Sequence, residues 1–160
     1  MKIRLFTDSD LPLLADLTVE TFRPFYEDYV RSLLGEEIFQ HQHGNWKQDY
    51  RDQLPTLHEP DAGRFIAVSE INGRIGGFVA WQLCDKPKHG EIVLLAVSAI
   101  HRGNRWGHEL CNFAINEMKD MRIEVVEIGT GDDDFHAAAR ALYEDLGFTK
   151  IPVAAYLKKI

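Results

Sequence analysis

Residues 91–107 have the sequence EIVLLAVSAIHRGNRWG, and this stretch decides the fold. Its first part, residues 92–97, is an almost uninterrupted apolar run, which predicts a strand covered on both faces. Gly103 and Gly107 then turn the chain into an amphipathic segment that predicts a helix over residues 105–120. A glycine turn at a helix start leaves several backbone N–H groups unpaired and directed the same way. Together with the helix dipole, these groups predict a site for phosphate.

The composition of the whole chain is that of one globular domain. Its 160 residues are 45% hydrophobic and 27% charged, so we predict a single domain over residues 1–160. No apolar run is long enough to span a membrane, and the N-terminus lacks the apolar region of a signal peptide. We therefore expect no membrane association and a cytoplasmic location. The formal net charge of −7 argues against nucleic-acid binding, which needs a basic surface.

The cysteines and histidines do not form a pattern typical of a disulfide or a metal site. Cys84 and Cys111 lack a CxxC spacing, so we expect both to be reduced packing residues. His41, His43 and His58 come nearest to a metal cluster. They lack the helical i, i+4 spacing and a cysteine partner. We predict no metal.

The order of predicted elements gives the fold class. Asn72-Gly73 is a strong two-residue hairpin signal between two apolar segments. The predicted strands are residues 2–6, 64–70, 74–83, 91–97, 123–130, 148–151 and 153–157. A first helix is predicted to begin near Pro12, and one or two more to lie within residues 21–59. Another follows residue 105, and the last ends at Leu146 with Gly147 in the C′ position. This order predicts an α/β (α+β) fold, with a mixed central sheet of about seven strands, antiparallel at its start and flanked by helices.

Two blocks of sequence carry a resemblance to a known family. Residues 97–110, VSAIHRGNRWGHEL, are similar to the acetyl-CoA signature Q/R-x-x-G-x-G/A of the GNAT (GCN5-related) N-acetyltransferases. Residues 138–148, AARALYEDLGF, resemble the A-x-x-L-Y-x-x-x-G-F block of that family. Both blocks occur in the order and spacing of the family, and only residues 21–60 match loosely. The resemblance implies the GNAT-like acyl-CoA N-acyltransferase fold.

The resemblance also implies where acetyl-CoA binds. The cofactor residues carried over from the family are Leu95, Ala96 and Val97 along the pantetheine arm, and Arg102, Gly103, Asn104, Arg105, Trp106 and Gly107 around the pyrophosphate. Arg105 replaces the first signature glycine, and two alternatives follow. Helical dihedrals at Arg105 would make the arginine acceptable and add a cation near phosphate, and we favour this alternative. A positive φ would weaken cofactor binding.

Three positions matter for acetyl transfer to an amine in the family. Tyr143 matches the tyrosine that hydrogen-bonds the cofactor sulfur and acts as general acid. Glu91 matches the glutamate that acts as general base through water in the histone-acetylating branch. His136 stands where the family often has an asparagine that contacts the cofactor. The backbone N–H of Ala96 or Val97 would polarise the acetyl carbonyl.

The acceptor site is predicted among aromatic residues near the first helices. Phe25, Tyr26 and Tyr29 would bind the acceptor amine by cation–π contact, with Glu27 and Asp28 available to pair with its charge. The alternative is that these aromatics, with Phe22, Trp46 and Tyr50, form the core under the helices. Asp133 and Asp134 are candidates for a base or a substrate clamp, or for a charge cluster at a helix start.

Two function classes stay open from the residues. The first is an acetyl-CoA-dependent N-acetyltransferase that acts by direct transfer on a primary amine of a small molecule, peptide or protein. The second is a catalytically silent acyl-CoA-binding regulatory module with the same fold, which Arg105 favours. A nucleotide-binding domain is disfavoured, because RGNRWG is neither G-x-G-x-x-G nor G-x-x-x-x-G-K-S/T. Residues 153–160 are the candidate edge for a homodimer.

Overall fold

The fold is built around a five-stranded sheet in the computed structural model, which describes residues Met1–Ile160. Its strands, in spatial order, are β1 (Lys2–Leu5), β2 (Arg64–Ile71), β3 (Arg74–Leu83), β4 (His89–Val97) and β5 (Val125–Ile128). The first four pair antiparallel, and β5 pairs parallel with β4. The predicted mixed sheet, antiparallel at its start, is confirmed.

Six α-helices and several shorter turns accompany the sheet. The helices are α1 (Leu11–Arg23), α2 (Arg31–Leu34), α3 (Glu36–His43), α4 (Trp46–Gln53), α5 (Trp106–Asp120) and α6 (Ala137–Asp145). Between α1 and α2, Pro24–Val30 is a π-helix. Pro24 has no N–H to continue the α-helical hydrogen bonds, so the hydrogen-bonding pattern changes there. No helix is both long and apolar enough to cross a membrane.

Residues 21–59 contain more and shorter helices than predicted. One or two helices were expected, whereas three begin in this range in addition to the π-helix. Gly35, at φ 74 and ψ 158, separates α2 from α3. Such a positive φ is accessible mainly to glycine and cannot continue a helix.

The two strands predicted after Gly147 are absent. Residues 148–160 contain no helix or strand, and the sheet has five strands rather than about seven. Apolar side chains in this segment are exposed, with Val153 at 85% and Tyr156 at 92%. An apolar pattern favours a strand only where a neighbouring strand can pair with it, and none does here. The proposed dimer edge at residues 153–160 therefore has no strand to extend, and the homodimer stays a prediction.

The chain divides into two units, which we describe separately. Met1–Phe22 and Lys47–Gly129 form the first unit, which contains the whole sheet. Arg23–Trp46 and Thr130–Ile160 form the second. A single domain over residues 1–160 stays a prediction.

Helices cover both faces of the sheet in the first unit. On one face, buried side chains of α1 pack with the sheet and with the turn Leu54–Leu57. This cluster consists of Leu14, Leu17, Leu54, Leu57, Ile66, Val68, Phe78, Ala80 and Ala96. On the other face, α5 lies across β2, β3 and β4 and buries Leu110, Ala114 and Met118. Each fully buried leucine stabilises the fold by about 1.5–3 kcal/mol. This packing holds α5 against the sheet.

Candidate functional site

The outer edge of β4 is open over its second half. β5 pairs with β4 only at residues 89–92, so residues 93–97 have no strand neighbour on that side of the sheet. A register shift opposite Ala80 and Trp81 leaves Val93 without a partner on β3, which is a β-bulge. The Ser98 N–H donates to the Gly76 carbonyl of β3, so Ala96, two residues earlier, also turns its backbone groups toward β3. Leu95 and Val97 turn theirs toward the open side, where an extended ligand chain can pair with them in the manner of β-augmentation.

The apolar run of β4 is less buried than expected. Ile92 and Ala96 are buried, but Val93, Leu94, Leu95 and Val97 are only half-buried. The prediction of a strand fully covered on both faces is wrong at these four positions, which lie where β4 has no strand neighbour on its outer side. Half-buried apolar side chains beside an open backbone edge suit a ligand that is itself partly apolar.

The turn between β4 and α5 presents a row of backbone donors. The chain passes Gly103 at φ 76 and Arg105 at φ 61, and α5 begins at Trp106. The backbone N–H groups of residues 103–107 donate no hydrogen bond within the protein, while that of Glu109 donates to the Arg105 carbonyl at 3.0 Å. Unpaired donors at a helix start carry partial positive charge and attract phosphate. The turn therefore has the unpaired donors that the sequence predicted, and the phosphate site itself stays a prediction.

Arg105 adopts left-handed dihedrals, φ 61 and ψ 11. The alternative that we favoured, helical dihedrals at this position, is therefore wrong. Glycine adopts such a conformation freely, whereas another L-residue pays about 1–2 kcal/mol. The side chain is exposed, and its Nη2 donates to Nε2 of His108 at 3.2 Å. Arg105 thus places a cation beside the backbone donors at the cost of backbone strain.

A packing contact that the sequence patterns did not reveal holds this turn on the sheet. The buried ring of Trp106 stacks on that of His101, with centroids 4.0 Å apart and planes 4° apart. Both rings lie over Gly76 of β3, where a Cβ would overlap both side chains. Trp106 therefore offers its backbone, and not its ring, to a ligand. The signal was Gly76-Gly77 within an apolar strand, which marks a close approach of another group.

Glu91 lies on β4 among polar side chains of the neighbouring strands. Gln82 Nε2 donates to Glu91 Oε2 at 2.8 Å, which fixes the carboxylate. Cys84 Sγ and carboxylate oxygens of Glu91 and Glu127 all lie within 4.8 Å of one another, so these three side chains are able to ligate a cation. Burial and the two carboxylate charges raise the pKa of Cys84, which keeps its thiol neutral. The absence of a metal stays a prediction.

The second cysteine is a packing residue, as predicted. Cys111 is fully buried in α5, and both cysteines are free thiols. Burial raises the pKa of Cys111 to about 12. Since the thiolate is the nucleophilic form of cysteine, Cys111 is inert at neutral pH.

In the second unit, the predicted acceptor residues form one aromatic cluster. They lie in the π-helix Pro24–Val30, where the Phe25 ring centroid is 5.0 Å from that of Tyr26 and 6.0 Å from that of Tyr29. The Phe25 ring also contacts Phe135 at 5.5 Å and His136 at 4.6 Å. The structure therefore brings His136, expected to contact the cofactor, next to residues expected to contact the acceptor. Phe135 was missed, because no sequence pattern links it to Phe25.

Two further residues near this cluster differ from expectation. Glu27 Oε1 accepts a hydrogen bond from Trp46 Nε1 at 3.1 Å, and its Oε2 lies 2.8 Å from Arg31 Nη2. The prediction that Glu27 is available to a substrate cation is wrong, since both oxygens are engaged; Asp28 is exposed. Trp46 is buried and stacks on Tyr26 at 4.6 Å, so the core alternative is confirmed for Trp46.

The loop before α6 holds Asp133 and His136 together. His136 Nδ1 lies 2.7 Å from Asp133 Oδ2, and the His136 backbone N–H donates to Asp133 Oδ1 at 3.1 Å. Burial opposes ionisation of the carboxyl, but the hydrogen bonds and charge of His136 outweigh it and lower the pKa of Asp133. Asp134 is exposed. Of the two aspartates, Asp133 is the one with a defined partner.

The end of α6 fixes Tyr143. The Gly147 N–H, at φ 87, donates to the Glu144 carbonyl, and the Phe148 N–H donates to the Tyr143 carbonyl, both at 3.0 Å. This is a Schellman motif, in which the side chains at positions C3 and C″ usually contact each other; these positions are Tyr143 and Phe148 here. Their rings meet edge to face with centroids 6.2 Å apart. The spacing L-Y-x-x-x-G-F thus has a physical basis, and the predicted C′ role of Gly147 is confirmed.

Comparison with known proteins decides the family. The model of the acetyltransferase (GNAT) family matches residues 20–148. The chain belongs to the GNAT family.

Individual relatives of this GNAT protein agree. It is 29% identical over 149 residues to a mycothiol acetyltransferase of Sanguibacter keddieii, a match over 89% of this chain and 46% of that protein. A point mutant of the BH1408 protein from Bacillus halodurans matches its structure with a TM-score of 0.75 at 18% identity, over 100% of both chains. The PaiA N-acetyltransferase from Thermoplasma acidophilum, solved with coenzyme A, matches at 0.70 and 15%, over 93% of this chain and 91% of that one. These structures confirm the predicted GNAT fold.

The relatives also set the scope of the comparison. The chain spans about half the length of the mycothiol acetyltransferases that it matches, 46% in one and 51% in the other, which is from Thermomonospora curvata.

Proposed function

We propose that this GNAT protein transfers the acetyl group of acetyl-CoA directly to a primary amine of a small molecule, a peptide or a protein. The observation that carries the proposal is the row of unpaired backbone N–H groups at residues 103–107, at the start of α5. Such a row suits the pyrophosphate of coenzyme A. Family membership supports the same conclusion.

The residues present fit the cofactor chemically. The backbone amides of Gly103, Asn104, Arg105, Trp106 and Gly107 would hold the pyrophosphate, whereas the N–H of Arg102, also predicted to do so, donates to the Ala99 carbonyl at 3.4 Å. On the open edge of β4, the backbone groups of Leu95 and Val97 would pair with the amides of the pantetheine arm, because β5 does not cover them; Ala96, predicted to join them, turns its backbone groups toward β3 instead. Bound acetyl-CoA would supply an activated thioester carbonyl. Of the N–H groups of Ala96 and Val97, that of Val97 faces the open side of β4, and it would stabilise the negative charge that develops on that carbonyl oxygen.

Two side chains are proposed to move protons in this reaction. An alkylamine with a pKa near 10 is almost wholly protonated at neutral pH and must lose a proton before it attacks. Glu91, oriented by Gln82, would accept it through water. Tyr143, held by the α6 end, would donate a proton to the departing sulfur. The inert thiol of Cys111 supports direct transfer over an acyl-enzyme route.

The acceptor amine would bind at Phe25, Tyr26 and Tyr29. Tyr29 is 39% exposed, and the faces of such rings attract a cation. The exposed carboxylate of Asp28 would add charge pairing. The acceptor panel should therefore hold small polyamines, amino sugars, peptides with free α-amino groups, and the unacetylated amine that corresponds to mycothiol, since two relatives are mycothiol acetyltransferases.

An assay of CoA release across this panel tests the proposal. We expect release that depends on one class of amine, with the acetyl group recovered on nitrogen by mass spectrometry. The variant Glu91→Gln should lower kcat by ~100-fold, in the range of general-base catalysis, and leave acetyl-CoA affinity unchanged. Failure with every amine, in a sample that still binds acetyl-CoA, would contradict the proposal.

A second candidate, a catalytically silent acyl-CoA-binding module, is favoured by one observation. Arg105 occupies a left-handed position that the family fills with glycine, and the strain there weakens the case for an ordinary catalytic site. A thermal-shift titration separates the candidates. A ligand at about 100 times its Kd stabilises the folded state by about 2.7 kcal/mol. Stabilisation without turnover would support the silent module, and no stabilisation would exclude both candidates.

A further inference from the structure

We propose that Asp133 and His136 form a proton-accepting pair for the acceptor amine. His136 Nε2 is the accepting atom, and Asp133 is the positioning residue. The inference rests on the proposed function, because it assigns a second proton acceptor to the same reaction. It gives His136 a role different from the cofactor contact that the family resemblance implies.

The hydrogen bond to Asp133 decides which nitrogen of His136 can accept a proton. The carboxylate Oδ2 is 2.7 Å from Nδ1, so the neutral ring carries its hydrogen on Nδ1. The lone pair is then on Nε2, which makes no hydrogen bond within the protein. A carboxylate in this position also stabilises the imidazolium that forms on proton uptake. The Asp133 side chain is 7% exposed and that of His136 is 15% exposed, so little water screens their interaction.

The loop is shaped to fit the pair. A Cβ on Gly131 would overlap Asp133 Oδ2 and lie 2.7 Å from His136 Nδ1, so glycine at this position leaves room for both groups. Arg140 Nη1 donates to the carbonyls of Gly131 at 2.7 Å and of Asp133 at 2.6 Å. The neighbouring Asp132 is instead exposed, and its carboxylate pairs with Lys150 and, at 3.6 Å, with Arg140 Nε rather than with the His136 ring. A surface charge cluster at a helix start does not need these constraints.

The aromatic side of the pair faces the proposed acceptor residues. The Phe25 ring meets His136 at 69° with centroids 4.6 Å apart, and Phe135 meets it at 85° and 4.8 Å. Phe25 also contacts Tyr26 and Tyr29, which are proposed to bind the ammonium group. The proton acceptor and the amine-binding rings are therefore one cluster. Among the charged side chains of this loop, Asp133 contacts the ring, and Arg140 binds the loop backbone.

The chemistry of amide formation has a use for this second acceptor. An alkylammonium loses two protons on the way to an amide, one before attack and one as the C–N bond forms. In the proposed function Glu91 accepts the first through water. His136 Nε2 accepts the second from the attacking nitrogen while the C–N bond replaces the C–S bond. Tyr143 protonates the sulfur that leaves. Glu91 and His136 then return their protons to solvent, and Tyr143 regains one, so that each turnover releases one proton to solvent.

The decisive variant is His136→Asn, which installs the residue that the family often has there. Asparagine keeps an amide that can contact a cofactor but cannot take a proton at neutral pH. We expect kcat/KM for the amine to fall by ~100-fold, with the acetyl-CoA Kd within about twofold of wild type. Because a proton already on Nε2 blocks this role, kcat/KM of wild type should fall toward the acid side, and the variant should lack that fall.

Two further variants isolate the role of the aspartate. Asp133→Asn should lower kcat/KM by ~10-fold, because the ring loses its orienting carboxylate. The matched control Asp132→Asn removes an exposed neighbour and should leave kcat/KM unchanged. A readout independent of turnover is the tautomer of His136. Two-bond ¹H–¹⁵N correlation spectra of the free protein should show the Nδ1–H form in wild type and its loss in Asp133→Asn.

Each other outcome contradicts the inference in a recognisable way. Wild-type kcat/KM and pH profile in His136→Asn would overturn it, and a parallel rise in the acetyl-CoA Kd would show a cofactor contact instead. If His136→Asn does not fold, His136→Gln serves the same comparison. Wild-type protein that binds acetyl-CoA but acetylates no amine would overturn the proposed function and this inference with it. Failure of the inference alone leaves wild-type turnover intact.

Discussion

Two regions of the molecule carry the two family blocks, and they are built in opposite ways. In the turn at residues 97–107, the groups offered to a ligand are backbone N–H groups, and the Trp106 side chain packs inward against Gly76. In the segment at residues 131–148, the groups on offer are side chains held by other side chains, such as His136 by Asp133. The first region is a backbone site, and the second is a side-chain site.

This difference predicts how each region responds to substitution. The backbone site needs small residues where space is short and is indifferent to most other side chains. The side-chain site depends on particular chemical groups and on the hydrogen bonds and helix cap that orient them. Substitutions in the first should change cofactor affinity, whereas those in the second should change turnover, and both should change the stability of the fold.

The largest expected effect is on the side-chain site. Tyr143→Phe removes the proposed acid while keeping the ring contact with Phe148, so kcat should fall by ~100-fold with little change in acetyl-CoA Kd. Steady-state kinetics and a binding titration measure the two quantities. The control is Tyr156→Phe, in a side chain that is 92% exposed, and it should behave as wild type. Unchanged kcat would remove Tyr143 from the acid role.

The matching test of the backbone site is Gly76→Ala. The new methyl overlaps Trp106 and His101, so it should displace the turn, weaken acetyl-CoA binding by ~10-fold and cost about 2 kcal/mol of folding free energy. Urea unfolding and isothermal titration measure these effects. Gly129→Ala, where a Cβ meets nothing within 4 Å, is the control for adding a methyl. Equal behaviour of the two variants would show that the stacked rings do not hold the turn.

Acid should destabilise the fold through the side-chain site, where Asp133 is ionised. The folded pKa of Asp133 lies below the ordinary carboxyl value, so its ionised form stabilises the fold above about pH 3.9. This contribution, about 2 kcal/mol for a charged hydrogen bond, is lost as the pH falls through the folded value. Wild type should exceed Asp133→Asn in free energy of unfolding at pH 5, and the difference should shrink by pH 3. A difference independent of pH would exclude the ionised pair.

A smaller effect is expected at the C-terminal end of α6. Gly147→Ala places a side chain at φ 87 and should cost about 1 kcal/mol of stability. Because the same cap aims Tyr143, kcat should also fall several-fold. Gly35→Ala imposes comparable strain at φ 74 in open space, away from this cap, and should leave kcat unchanged. Similar losses of kcat in both variants would point to general destabilisation.

The smallest expected effect is at Arg105. Arg105→Gly relieves about 1–2 kcal/mol of left-handed strain but adds freedom to the unfolded chain, for a net gain of about 0.5 kcal/mol. Arg122→Gly, at φ 63, should stabilise equally without touching the cofactor turn. The acetyl-CoA Kd should change by less than about threefold if the backbone makes the site. A tenfold loss of affinity specific to Arg105→Gly would show that the cation carries the binding.

The backbone site was largely readable from the sequence, whereas the side-chain site was not. Glycine positions and an apolar run predicted β4, the turn and α5, because these features depend on local conformation. The dihedrals of Arg105 were mistaken, since a side chain's identity does not report the φ imposed by its neighbours. The cluster of Phe25 with Phe135 and His136 joins segments far apart in the chain, so no local pattern indicated it.

The errors at the level of the fold have a similar cause. The two final strands were predicted from an apolar pattern alone, but a strand needs a partner that the pattern does not supply. The short helices between residues 24 and 53 follow from Pro24 and Gly35, each of which interrupts the regular hydrogen bonds. By contrast, the hairpin at Asn72-Gly73 was correct, because positive φ at both residues is a local requirement of that turn.

A phosphate site made of backbone N–H groups would affect how strongly the product CoA competes with acetyl-CoA. The pyrophosphate is common to acetyl-CoA and to free CoA, so the backbone N–H groups of residues 103–107 would bind the substrate acetyl-CoA and the product CoA equally well. If the turn binds acetyl-CoA and free CoA equally tightly, its binding energy does not favour the substrate over the product. The rate of such an enzyme would then follow the ratio of acetyl-CoA to CoA more than the amount of either. An open backbone turn would thereby make amine acetylation responsive to the acetyl charge of the surrounding coenzyme A pool.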